Sequence, residues 1–256
     1  MSERPGDKVI PLIEEICATR QVTDAEGNVY SSHPTSIPRE EGMALYQLVK
    51  DKRPARTLEV GMAYGLSSLF LCQALRENGA GTHTAIDPYQ TSGWHNIALL
   101  NLERAGLRDL VTFYEQPSHV ALPRLLDAGE RFDVVFIDGS HRFDDAFIDT
   151  YYLDRMLDIG GCLVFDDLWM ASIRKLVAYL LRNRRYAIDH TQDLSRVSLP
   201  QRFKRFARSF LYQPLDPYLL FASPGKGWRH LHLRQNYCVL RKEAKHEEAW
   251  DYFVNF

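Results

Sequence analysis

Between Arg56 and Asp167, short apolar runs alternate with longer stretches whose apolar residues recur at helical spacing. The runs are TLEV, HTAID, VTFYE, FDVVFID and GCLVFDD, each of strand length and bounded by polar or glycine-containing turns. The stretches between them, SSLFLCQALREN, WHNIALLNLERAG, SHVALPRLLDAG and FDDAFIDTYYLDRML, carry one apolar stripe each, and several end at Gly or Asn, as helices tend to. Five strands joined by four helical crossovers form a parallel sheet with helices on both faces. Beyond them ASIRKLVAYLLRNRR predicts a helix, YAIDH a sixth strand and YCVLRK a seventh. The expected fold is α/β, a Rossmann-like three-layer sandwich with a mostly parallel seven-stranded sheet and an antiparallel late strand.

The flanks follow different patterns. Near the N-terminus the acidic turn DAEGN lies between β-prone residues, and PTSIPREEG leads into a helix near Met43–Lys50, so residues 1–50 are expected to form a cap beside the mouth of a site. Residues 51–256 are expected to form the core, with a substrate-side insertion at about 195–230, where Arg, Pro and aromatic residues lack clear periodicity. Within it, LPQRFKRFARSFLY would make an amphipathic helix with Phe203, Phe206 and Phe210 on one side, suited to docking on its own core or to meeting an acidic substrate, a partner or a membrane surface. The tail AWDYFVNF is expected to pack on the domain or on a second subunit, which makes a homodimer conceivable.

Composition narrows the function classes. A formal net charge of −2 over 256 residues gives no global reason to expect a nucleic-acid partner. Cys17, Cys72, Cys162 and Cys238 are scattered without CxxC spacing and read as reduced thiols. The polar start MSERPGDKVI is unlike a signal peptide, and no apolar run reaches the roughly 18 residues a membrane span needs. A cytoplasmic protein without a membrane span is expected.

The first strand ends in TLEVGMAYGLSS, where Gly61, Ala63 and Gly65 make a GxAxG turn that lets a ligand approach the backbone. Neither GxGxxG nor GxxxxGK[ST] occurs there, which argues against a pyrophosphate or triphosphate ligand. Glu59 just before the turn can receive an ammonium group, and Ser67 at the helix start can bond a carboxylate, so the pair suits an amino-acid moiety. Asp87 closes the second strand, where an acid accepts bonds from ribose hydroxyls. An ordinary glycine-containing βα turn with a solvated acid at each strand end would explain any one of these residues alone.

The ordered set SIPREEG, LEVGMAYGLSSL, AIDP, Gln116-Pro117-Ser118, FDVVFIDGSH and GGCLVFDDLW, spanning about Ser36 to Trp169, resembles the class I methyltransferases. Within them it is similar to the metal-dependent O-methyltransferases of caffeoyl-CoA, catechol and macrolide-sugar type. The resemblance implies that Glu59, Gly61, Ala63, Ser67, Asp87 and Asp138 contact S-adenosylmethionine and that Gln116 and Ser118 lie near its adenine. It also implies an acceptor that is a small molecule with a hydroxyl group.

Asp138 after the fourth strand and Asp166 with Asp167 after the fifth should meet at the carboxyl edge of the sheet, where open α/β folds bind ligands. Such like charges need protons or a cation, and an all-oxygen set favours Mg²⁺ or another hard divalent ion. The resemblance likewise makes Asp138, Asp166 and Asp167 metal ligands, with Asp167 standing where the caffeoyl-CoA and catechol enzymes carry Asn. A capping or Arg-paired aspartate is the plainer explanation of one of them. His141, three residues past Asp138 in DGSH, is a candidate general base for the acceptor hydroxyl; the macrolide-sugar enzymes have His there and the caffeoyl-CoA enzymes Lys. A solvent-facing loop His would account for it as simply. Trp169 is a candidate stacking wall for the acceptor. Two alternatives stand beside methyl transfer: a DGSH-type enzyme of different chemistry, such as hydroxylation, and a non-catalytic module that binds S-adenosylmethionine.

Overall fold

Alternation of apolar runs and helical stripes produces the expected sequence of elements. The computed structural model describes residues 10–191, 236–246 and 248–256. Helix α1 (Pro11–Thr19) precedes a hairpin, β1 (Gln21–Thr23) and β2 (Val29–Ser31). Asp24 organises its turn: one carboxylate oxygen accepts the Glu26 and Asn28 backbone N–H groups, and the other accepts the Asn28 amide and the Tyr30 hydroxyl. The DAEGN signal is thus an Asx-type turn built by its own first residue.

The next elements are α2 (Arg39–Lys52), β3 (Arg56–Val60), α3 (Leu66–Asn78), β4 (Thr82–Ile86), α4 (Ile97–Arg104), β5 (Val111–Tyr114) and α5 (Ser118–Asp127). Then come β6 (Phe132–Ile137), α6 (Phe143–Met156), β7 (Leu157–Phe165), α7 (Ala171–Asn183), β8 (Tyr186–Thr191) and β9 (Cys238–Lys242). The seven-stranded sheet has the order β5-β4-β3-β6-β7-β9-β8. Strands β3, β4 and β5 pair in parallel, whereas β9 is antiparallel to both β7 and β8. The late strand therefore lies inside the sheet, one place from its edge, and the expected mostly parallel topology is the observed one.

The chain divides into two compact units, Met1–Val134 and Val135–Phe256. In the first, α3 is buried from Leu66 to Leu75, which explains its nearly continuous apolar run. Gly42 makes the approach of α2 possible, because a Cβ there would lie 2.1 Å from the Phe70 ring. In the second, Cys162–Phe165 of β7 have no exposed surface, and Leu176 and Val177 of α7 are equally buried. The aromatic tail packs within this second unit: Asn183 exchanges two hydrogen bonds with the Val254 backbone, and the Tyr179 and Phe256 rings meet edge-on at 5.1 Å. Trp250 points away, 98% exposed. All four cysteines are free, three of them buried. No helix among the described residues is long and apolar enough to cross a membrane. The expected insertion at 195–230 and its basic-aromatic segment lie outside the described residues.

Candidate active site

In the first unit the chain leaves β3 through a turn that demands unusual backbone. Gly61, Ala63 and Gly65 all have positive φ, at 87°, 44° and 83°. At Gly65 the glycine is doubly required, since a Cβ would also fall 2.9 Å from that of Ala98. The left-handed step at Ala63 aims successive N–H groups inward as an anion-binding concavity. Asp87 occupies it: its Oδ2 accepts the Met62 and Ala63 N–H groups at 3.0 and 2.8 Å, and its Oδ1 accepts the Tyr89 N–H at 2.8 Å. A carboxylate offers roughly four lone-pair sites, so three are committed to the fold and about one is left for a ligand.

Glu59 has no exposed surface. Its Oε2 accepts the Ser67 hydroxyl at 2.7 Å, and its Oε1 accepts the Ser68 hydroxyl and contacts His83 Nε2 at 3.1 Å. The carboxylate expected to meet a ligand directly thus holds three donors from behind the turn, and by the same count about one acceptor site is left. Two side chains beside the turn have the opposite problem. Gln90, fully buried, donates its Nε2 to the Ala63 carbonyl at 2.7 Å and leaves Oε1 without a protein partner. Trp94 sets its ring edge-on to Tyr64 at 5.1 Å and leaves Nε1 similarly unmatched. Buried polar atoms of this kind are rare in folded proteins and mark places where a ligand or water completes the bonding. Farther along, Gln116 and Ser118 are half-buried, with Gln116 accepting a bond from Arg124 at 3.2 Å and Ser118 opening α5.

In the second unit, Asp138 follows β6 directly, and Asp166 and Asp167 follow β7. Ligand atoms of Asp138, His141 and Asp167 all lie within 4.8 Å of one another. His141 Nε2 is in contact with Asp167 Oδ2 and lies 3.7 Å from Asp138 Oδ1. Its pKa is raised, first by the hydrogen bond to Asp167, against the opposing effect of burial. The Ser172 hydroxyl donates to the His141 carbonyl at 2.6 Å and ties this loop to α7. Asp167 adopts φ 53° and accepts the Trp169 indole N–H at 2.5 Å, so Trp169, 56% exposed, is anchored by one of the aspartates.

Asp166 behaves differently from its neighbour. Only 7% exposed, it accepts the Asn236 amide and the Asp167 N–H, both at 2.6 Å, on one carboxylate oxygen. Two of the three aspartates expected to act together are thus joined by the histidine, while the third is held by a residue that arrives from the start of β9. Sequence reasoning missed Asn236, Gln90, Trp94 and His83. A trace of His83 was present in HTAID, where strand alternation puts it on the same face as Ala85; the partners of Asn236, 70 residues from Asp166, had no such trace.

Comparison with known proteins bears on this arrangement. Residues 58–168, from β3 through the aspartate pair, match the family model described as a methyltransferase domain. That stretch of the chain is similar to methyltransferase domains. A caffeoyl-CoA O-methyltransferase of Populus kitakamiensis is 33% identical over 145 residues, covering 56% of this chain and 59% of that protein. A putative caffeoyl-CoA O-methyltransferase of Arabidopsis thaliana is 27% identical over 176 residues, covering 64% and 73%. The chain thus spans under two thirds of the Populus relative's length. Among solved structures, the Streptomyces achromogenes O-methyltransferase TomG, in complex with SAM, superposes with a TM-score of 0.54 at 16% identity over 93% of this chain and 92% of that one. A Bacillus cereus O-methyltransferase in complex with SAH gives 0.53 at 20% over 93% and 94%. At such identities these two establish a shared fold.

Proposed function

We propose that this protein transfers the methyl group of S-adenosylmethionine to a hydroxyl oxygen of a small molecule. The observation that carries the reading is the His141 imidazole held between Asp138 and Asp167, in a chain whose residues 58–168 match a methyltransferase-domain model. Residues of the first unit fit the cofactor: the remaining acceptor site of Asp87 suits a ribose hydroxyl, the unmatched Gln90 and Trp94 atoms suit a polar ligand, and Ser67 at the start of α3 suits its amino-acid end. Gln116 and Ser118 are assigned to its adenine, and Gly61 and Ala63 to close backbone approach. When bound, S-adenosylmethionine supplies an electrophilic methyl on a sulfonium.

His141 Nε2 would take the proton that an acceptor hydroxyl loses as its oxygen takes up that methyl and the thioether leaves. Asp167, with Asp138 farther off, stabilises the imidazolium that results. The same three groups, two carboxylates and one imidazole, fit a divalent cation such as Mg²⁺; nitrogen in the set widens the choice toward Mn²⁺ or Zn²⁺. A cation there supplies positive charge that favours an ionised hydroxyl. Because His141 Nε2 is one of the converging atoms, a second reading makes it a ligand and leaves proton removal to the cation's charge. Asp166, expected as a third ligand, keeps one carboxylate oxygen on Asn236 and the Asp167 N–H, and its second oxygen is the one it would offer the cation.

Radiolabelled methyl transfer to a panel of catechols, flavonoids and glycosylated macrolides, with and without EDTA and added Mg²⁺, tests these readings. Transfer that survives complete chelation supports His141 as the base. Transfer lost to EDTA and regained with Mg²⁺ supports the cation. Cofactor binding without transfer to any hydroxyl, in either condition, favours a binding module, and absence of cofactor binding overturns the proposal.

A further inference from the structure

Behind the glycine turn of the first unit runs a polar chain that the proposed chemistry does not use. Thr57 and His83 are register partners on the parallel strands β3 and β4, and Glu59 lies two residues along β3 on the same face. Thr57 Oγ1 lies 2.8 Å from His83 Nδ1, and His83 Nε2 lies 3.1 Å from Glu59 Oε1. Glu59 passes the connection on to Ser67 and Ser68 in the first turn of α3. Exposure is 1% at Thr57, zero at Glu59, His83 and Ser68, and 6% at Ser67. The tautomer with its proton on Nε2 satisfies both ring nitrogens, since it donates to Glu59 and accepts the Thr57 hydroxyl.

Such a chain is costly to keep in a core. A buried carboxylate loses several kcal/mol of hydration, and apolar replacements of buried charged groups are often neutral or stabilising. The surroundings show what it achieves. Glu59 Oε2 fixes the Ser67 hydroxyl, two residues after the Gly65 turn, and Oε1 is fixed in turn by Ser68 and His83. With His83 gone, the carboxylate keeps donors only from the helix it is meant to orient and loses its anchor in the sheet.

We propose that His83 is a positioning residue of the cofactor site, fixing Glu59 from the sheet side and, through it, the Ser67 hydroxyl that receives the amino-acid end of S-adenosylmethionine. The inference rests on the cofactor reading above. It predicts a selective effect, because adenine and ribose are held by residues outside this chain of bonds.

Calorimetric titration of the 256-residue chain with S-adenosylhomocysteine and with 5′-methylthioadenosine, which lacks the amino-acid end, tests it. His83→Leu is expected to weaken S-adenosylhomocysteine about tenfold, the scale of one lost buried hydrogen bond to a charged group, and to leave methylthioadenosine unchanged. His83→Gln, which can return an N–H donor toward Glu59, should recover most of the loss. Thr57→Val, which frees the ring's far side, should give a smaller loss with the same selectivity. Equal weakening of both ligands, or unaltered S-adenosylhomocysteine binding in a folded His83→Leu variant, overturns the proposal. Should His83→Leu fail to fold, Thr57→Val decides, with the same two outcomes counting against it. A wild-type protein that binds neither ligand would instead overturn the cofactor reading itself, and the proposal with it.

Discussion

Glu59 in the first unit has no exposed surface and receives three side-chain donors, whereas Asp138 and Asp167 in the second retain 17% and 21% of their side-chain exposure and share one imidazole. Both regions follow sheet strands, and both concentrate negative charge. They differ in who answers that charge. Around β3 and β4 the fold supplies the donors, from backbone N–H groups, serines and a histidine, so the site is rigid before any ligand arrives. After β6 and β7, Asp138 and Asp167 converge on the His141 imidazole, and a proton on that ring answers their charge. A binding surface that is already ordered loses less entropy when its ligand docks. A centre that must gain and lose a proton gains from carboxylates that share one titratable ring.

The sharpest way to break this contrast is to remove the second centre's histidine. His141→Ala is expected to lower kcat by about 10²–10⁴ with S-adenosylmethionine affinity unchanged, as single-turnover kinetics and calorimetry would show. A loss of tenfold or less would mean that a cation alone activates the hydroxyl.

Glu59→Ala should act on the other side of the comparison. It leaves His83, Ser67 and Ser68 with buried donors and no acceptor, and should cost about 2–4 kcal/mol in urea unfolding. Retained stability would show that the buried carboxylate is not needed by the fold. Asp87→Ala removes three backbone bonds and one ligand site, and should weaken S-adenosylmethionine by roughly 1.5–3 kcal/mol while the circular dichroism spectrum stays native. Unchanged affinity would take Asp87 out of the site.

Smaller effects are expected in the second unit. Asp138→Asn relieves like-charge repulsion and should leave stability within about 0.5 kcal/mol of the parent protein; a large loss would mean that the cluster is structural. Asp167→Asn probes the raised pKa of His141. A raised folded-state pKa contributes stability that is complete below the ordinary imidazole value of 6.5 and is lost as pH climbs through the raised value. Tm of the parent protein, measured in metal-free buffer, should therefore decline slightly across that window. The decline should flatten in Asp167→Asn, and the acidic limb of its pH–rate profile should move to lower pH. Identical pH dependence in the two proteins would remove Asp167 as the cause.

Local pattern determined much of this protein. Period-2 and period-3.6 spacing is written in neighbouring residues, so the strands and helices from Arg56 to Asp167 were legible, as were the glycine turn and the aspartates that end β6 and β7. DAEGN was legible for the same reason, because Asp24 bonds groups only two to six positions away. The tertiary structure alone decided what each carboxylate faces. Asp166 and Asp167 are adjacent in the chain, yet successive residues point apart, and one is turned to Asn236 while its neighbour is turned to His141. Glu59 reads as a ligand contact, and only the pairing of β4 shows that His83 also meets it from 24 residues away. Spacing along a chain specifies which groups can share a face; whether a group there meets a donor, a like charge or open space depends on strands paired at long range, which no local pattern encodes.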